Sequence, residues 1–179
     1  MFDVAIVTPV VMDDLVAHGR IAAGTRTTIA RSGLALAVRT GAPKSDIGTA
    51  DAFKRTLLDA RSIAYAKEGA SGVAFAGLIQ RLGIADDLRP KSRLTATGEE
   101  VGAAVVNGDV QFGVLPVSEI LPLKGAEVLA PFPPELQSYV VMVAGVNTAA
   151  AHAAAGRELI AYLTAPAALP VIKARGMER

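Results

Sequence analysis

The chain has 179 residues, of which 51% are hydrophobic and 20% charged, with a formal net charge of +1; it is a core-forming globular chain, enough for one domain or two small lobes, and not a disordered one. A near-zero net charge with no basic run gives no electrostatic case for nucleic acid, and aromatics at 4% with no Trp leave little material for base- or sugar-stacking platforms. The absence of Cys excludes disulfides, thiolate catalysis and zinc–thiolate sites.

No stretch reaches the roughly 18 uninterrupted apolar residues of a membrane span. No basic segment followed by an apolar one opens the chain, as it would in a signal peptide. Met1 stands directly on Phe2-Asp3-Val4-Ala5-Ile6-Val7, which has the pattern of a strand interior. The expectation is that sequence once lay upstream.

In chain order, Asp3 to Val7 reads as a buried strand ended by Thr8-Pro9. Val11 to His18 reads as a helix with Val11, Leu15 and His18 on one face and Gly19 as its stop. His18 lies four residues after Asp14, the spacing of a surface helix pair. Thr27 to Ala30 is a short, ambiguous segment. Arg31-Ser32-Gly33 leads into Leu34 to Val38, a clear strand, and Gly41 to Asp46 is a loop. A helix follows with Thr49 as N-cap and Phe53, Leu57 and Leu58 on its buried side.

The central stretch is SIAYAKEGASGVAFAGLIQRL, Ser62 to Leu82. Its bounded apolar start is a parallel-strand pattern. Gly69-Ala70-Ser71-Gly72 turns the chain, and Phe75, Leu78, Ile79 and Leu82 recur at helical spacing before Gly83. A helix start presents free N–H groups and the positive end of the macrodipole. Small residues there let an anion approach, and Ser71 adds a hydroxyl; the plainer role for Ser71 is an N-cap. Asp86 and Asp87 are adjacent in sequence and so do not converge on one ligand. Lys91 to Ala96 reads as an edge or connecting strand, and Thr97-Gly98-Glu99-Glu100 opens a second helix. Val110 to Leu115 is a strand that Pro116 to Ser118 turns into a short helix. Gly125 to Ala130 and Tyr139 to Val146 are strands; Ala149 to Leu163 and Ala165 to Ala174 are helices joined at Thr164-Ala-Pro. This alternation predicts an α/β fold, an open sheet of βαβ units with ligands beyond the carboxyl ends of the strands.

The blocks FDVAIVTPVVMDDLVAHGRI, ARSGLALAVRTGAPKSDI, ADAFKRTLLDARSIAY, GASGVAF, QRLGI, GDVQFGVLPVSEILPLKG, PFPPELQSYVVMVAGV and YLTAPAALPVIKARGME occur in that order across nearly the whole chain. In them the chain resembles the type II periplasmic solute-binding proteins, molybdate-binding-protein-like members above all. The resemblance implies two lobes enclosing a ligand cleft. Residues 1–36 and 142–179 would form a partial first lobe and residues 37–141 the second, with crossings near 34–39 and 137–146. The family's opening strands have no counterpart here, so the first lobe is expected to be incomplete. A sheet lacking its first strands exposes unpaired edges, which would drive a homodimer or a strand-swapped assembly.

The resemblance also implies site residues. The helix-start ligand resembles Ser71, with Gly72 beside it; the next resembles Val101, flanked by Glu100. A tyrosine that contacts molybdate in well-known members falls near Pro116, which has neither hydroxyl nor N–H. In the first lobe the position resembles Thr8, followed by Pro9. Arg31 stands before the crossing strand, where a guanidinium would favour a carboxylate. Tyr65 and Tyr139 are candidates for the cleft lining or for core packing. Glu99 and Glu100 would repel an anion, so at least one is expected to point outward or to cap.

The function implied first is a non-catalytic substrate-binding protein for a small anion, a molybdate-like oxyanion or an organic carboxylate. Its partner would be an ABC permease, its location periplasmic, or cytoplasmic if Met1 is the true start. No cofactor and no metal are implied. The alternative is an organic-acid isomerase of the aconitate type, which needs a base near the substrate carbon; Glu100, Tyr65 and Tyr139 are its candidates. A regulatory effector-binding domain is a third reading, and no helix-turn-helix supports it.

Overall fold

In the computed structural model, which describes residues 2–179, the chain gathers into two units, Met1–Ser32 with Val140–Arg179, and Gly33–Tyr139. The Gly33–Tyr139 unit is built on five strands: the later part of β2 (Thr27–Arg39), β3 (Ile63–Ala66), β4 (Ser92–Thr95), β5 (Phe112–Pro116) and β6 (Ala126–Pro131). β3 pairs in parallel with β4 and β5, whereas β2 runs antiparallel to both β5 and β6. The expected sheet of βαβ units therefore carries one reversed strand. The chain enters this unit along β2 rather than through a helical crossover, so the rule that makes crossover strands parallel does not act on it. Leu34 to Val38 is buried without a break, the apolar run of a strand covered on both faces.

Helices α2 (Ala50–Asp59), α3 (Ala70–Arg81) and α5 (Gly98–Asn107) return the chain between strands, with the short α4 (Ala85–Leu88) after α3. Thr49 caps α2 by accepting a hydrogen bond from the Ala52 amide at 3.2 Å, and Phe53 and Leu57 are fully buried. Phe53 packs on Phe132 with ring centroids 4.7 Å apart, and Phe75 on Phe132 at 6.2 Å. Gly113 lets α5 lie close on β5: a Cβ there would come within 2.6 Å of Val105 and 2.9 Å of Val101. Because β3, β4 and β5 are parallel, Ala66, Thr95 and Pro116 share one edge of the sheet. There α3, α5 and the short α6 (Val117–Ile120) begin.

In the other unit β1 (Val4–Val7) pairs antiparallel with β7 (Tyr139–Val146). Helix α1 (Pro9–Ala17) buries Met12, while Val11 is 46% exposed and His18 is exposed. Pro9 at the first helical position starts α1 two residues before the expected Val11. His18 makes its expected surface pair with Asp14 at 3.3 Å. Helix α7 (Ala153–Thr164) begins later than the expected Ala149. The Asp3 carboxylate accepts from the Ala151 amide and the Asn147 side chain from the Ala149 amide, which holds this stretch in turns. A short 3-10 turn, Pro166–Ala168, leads into α8 (Leu169–Ala174). The segment Thr27 to Gly33, read as an ambiguous stretch and a lead-in, is continuous with β2, and Arg31 bridges Glu178 through both main-chain pairs.

Candidate functional site

The α3 start owes its place to one close packing contact. A Cβ on Gly72 would lie 1.7 Å from the Ala66 carbonyl oxygen, so only glycine lets the first turn of α3 sit over the end of β3. Gly72 is thus required by packing. Gly69, the N-cap, supplies no side-chain acceptor, and no acidic residue occupies the first turn. The first-turn N–H groups therefore face outward with the positive end of the dipole. Ser71 lies inside the helix and does not cap it. The residue is only 6% exposed, yet its hydroxyl makes no hydrogen bond to any described residue and keeps access to solvent. A polar group in that position is set up to donate to something that arrives.

The α5 start is built differently. Thr97 Oγ1 accepts from the Glu100 amide at 3.2 Å, and Glu100 Oε2 accepts from the Ala96 amide at 3.0 Å. That is a close variant of the reciprocal capping box, and it gives Glu100 the capping role expected of one of the two glutamates. Val101, carried over as a ligand-binding position, has its amide on the Thr97 carbonyl and its side chain fully buried. The structure thus commits Glu100 and Val101 to cap and core. The Gly98 and Glu99 amides of this turn have neither an intrahelical acceptor nor a cap among the described residues.

Glu119 was missed by sequence reasoning. Its Oε2 lies so close to Gly98 that a Cβ there would come within 2.5 Å of it. The residue is exposed and its carboxyl has no hydrogen-bond or ionic partner among the described residues; partial desolvation raises its pKa from the ordinary glutamate value. The available signal was a Glu one helical turn beyond the end of a parallel strand, at the edge where ligands bind.

Pro116 is buried as the last residue of β5 and precedes α6; it contributes no donor. A cavity of about 330 Å³ opens at this same edge, lined by Lys67, Glu68, Leu94, Thr95 and Ala96. Tyr65 packs edge-on against Phe75 at 5.1 Å, a core role. Tyr139 begins β7. In the other unit Thr8 precedes α1 without a side-chain capping bond, and Pro9 opens that helix. Arg31 there gives its guanidinium to Glu178 at 2.9 Å, so the structure holds it as a tether for the C-terminal segment. Among the described residues no group of three His, Cys, Asp or Glu is arranged to hold a metal ion. No described helix is long and apolar enough to cross a membrane.

Residues 1–178 match the family of bacterial extracellular solute-binding proteins, and the chain belongs to that family. An aconitate isomerase from Pseudomonas sp. is 33% identical over 177 residues, which are 98% of this chain and 67% of that protein. The periplasmic molybdate-binding protein of Azotobacter vinelandii matches in structure with a TM-score of 0.80 at 20% identity, over 99% of this chain and 78% of that one. Peb3 from Campylobacter jejuni matches with a TM-score of 0.72 at 12% identity, over 99% of this chain and 79% of that one. At these identities the two structures establish the expected α/β periplasmic-binding-protein fold.

Proposed function

We propose that this protein binds a small organic polycarboxylate, with one carboxylate received at the start of α3. The observation that carries the reading is Ser71, a buried residue whose solvent-facing hydroxyl has no partner among the described residues, at a helix start without a side-chain cap. Backbone amides and a hydroxyl grip an anion without a cationic side chain. Pro116 removes a donor that an oxyanion such as molybdate would use, while a carboxylate has fewer oxygens to satisfy. The relative that is 33% identical takes its name from a tricarboxylic acid. In a transport role the loaded protein would deliver its ligand to an ABC permease outside the cytoplasm. The 33% identity over nearly the whole chain favours a second reading, in which the bound acid is also isomerised.

Thermal unfolding in the presence of cis-aconitate, trans-aconitate, citrate, molybdate, tungstate and sulfate tests the proposal. A ligand at about 100 times its Kd stabilises the folded state by about 2.7 kcal/mol. The polycarboxylates are expected to raise the midpoint and the inorganic oxyanions to leave it in place. Stabilisation by molybdate alone would overturn the carboxylate assignment.

A further inference from the structure

We infer that Glu119 is the proton-transfer group that makes this polycarboxylate site an isomerase site; the inference rests on the binding reading above. Three acidic side chains stand at the start of α5 or against it. Glu100 is spent on the Ala96 amide. Glu99 is exposed on the first turn, whereas Glu119, also exposed, lies against Gly98 from across the helix start. Glu119 reaches in from α6, lies against Gly98 and has neither a hydrogen bond nor an ion pair with any described residue. Its neighbour across the contact is a residue without a side chain, and Glu119 is itself exposed, which leaves the carboxyl open to a ligand at the Gly98 and Glu99 amides.

A lone carboxylate beside an anion site is a cost to simple binding. It repels the ligand from an exposed position, and no described residue pairs with it. A binding protein gains nothing from it; a proton-transfer catalyst does. Partial burial raises the Glu119 pKa, which makes its carboxylate a stronger base than one in water.

The reaction that fits is a 1,3-shift along a propene tricarboxylate. The Glu119 carboxylate takes a proton from the methylene carbon. The C–H electron pair spreads over the three-carbon allylic unit and the adjoining carboxylates. The double bond then forms where the methylene stood, and the Glu119 carboxylic acid returns the proton to the former vinylic carbon. Atoms and electrons balance without an oxidant, a reductant or a second substrate. Interconversion of cis- and trans-aconitate is one outcome of such a shift. The amides of Gly98 and Glu99 and the hydroxyl of Ser71 supply donors for the negative charge that develops on the carboxylates.

Glu119→Gln, which keeps the shape and removes the charge, separates this role from binding. Affinity for trans-aconitate, by titration calorimetry, is expected to stay level or tighten up to about tenfold as a like charge is lost. Isomerisation, followed by proton NMR, is expected to fall by about 10² to 10⁴. A wild-type chain that binds aconitate without converting it overturns the inference and leaves the binding reading intact. A Glu119→Gln variant that converts aconitate at the wild-type rate overturns the inference as well. A wild-type chain that binds no polycarboxylate sinks both. Should Glu119→Gln lose its fold by circular dichroism, Glu119→Asp takes its place. Its carboxyl retreats by one methylene, and turnover at least about tenfold slower with retained affinity is the expected result; an undiminished rate overturns the assignment.

Discussion

The starts of α3 and α5 stand on the same edge of the same sheet, and they are finished in opposite ways. At α3 the N-cap is a glycine without a side-chain acceptor, the first turn has no acid, and the Ser71 hydroxyl makes no bond to the described residues. At α5 Thr97 and Glu100 cap each other's amides, Glu99 adds a second acid, and Glu119 presses against Gly98. A capped helix start gains stability from its own side chains. One that begins at a glycine forgoes a few tenths of a kcal/mol of that and keeps its N–H groups for a guest. The contrast assigns binding to α3, and to α5 a mixture of structural support and proton chemistry.

The harshest way to break the comparison is Gly72→Ala. The added methyl has no room beside the Ala66 carbonyl oxygen, so α3 must lift off the end of β3. Overpacking of this kind costs about 3 kcal/mol, a fall of roughly 10 °C in the midpoint of thermal unfolding for a domain of this size. Ligand-induced stabilisation is expected to vanish with it, because the helix start no longer has its position. A variant of wild-type stability would show that α3 is not seated as described.

Ser71→Ala sharpens the comparison by separating stability from binding. The hydroxyl has no bond within the described protein to lose, so the unfolding midpoint is expected to hold within about 0.5 kcal/mol, as for a substitution away from any structural feature. A hydrogen bond to a charged group contributes about 1.5 to 3 kcal/mol, so polycarboxylate affinity is expected to fall by about tenfold or more. Thr97→Ala should do the reverse. Loss of the α5 cap costs about 1 kcal/mol, visible as a lower urea midpoint at unchanged slope, while affinity stays close to wild type. If Thr97→Ala weakens binding as much as Ser71→Ala does, the capped start of α5 contributes as much affinity as the open start of α3 and the division of labour fails.

The alternation of bounded apolar runs with helical periodicity made the α/β class legible, since both patterns are local. The turn at Gly69 to Gly72 was equally plain. The reason for Gly72 was not, because the carbonyl that forbids a side chain belongs to β3. Thr27 to Ala30 does not read clearly as part of β2, because Arg31-Ser32-Gly33 looks like a polar interruption. The continuity of β2 depends on distant partners: Glu178 pairs with Arg31, and the Gln137 side chain clamps the main chain of Leu34 beside Gly33. Glu119 was hidden for the same reason. Which carboxyl touches the α5 start is decided by the order of strands in the sheet, and no spacing within the chain encodes that directly.

Arg31→Ala carries the smallest expected effect and tests the one cation that a ligand-binding reading of the sequence favoured. Its guanidinium donates to Glu178 from both Nε and Nη2, and the two residues also pair through their main chains. Both side chains keep nearly half of their surface exposed, at 44% and 47%, so the ion pair contributes no more than about 0.5 kcal/mol and less in high salt. The main-chain pairing survives the substitution. A midpoint within about 2 °C of wild type is therefore expected, with polycarboxylate affinity unchanged. If affinity instead falls tenfold at constant stability, Arg31 leaves Glu178 for the ligand, and a charged side chain joins the helix starts in holding the acid.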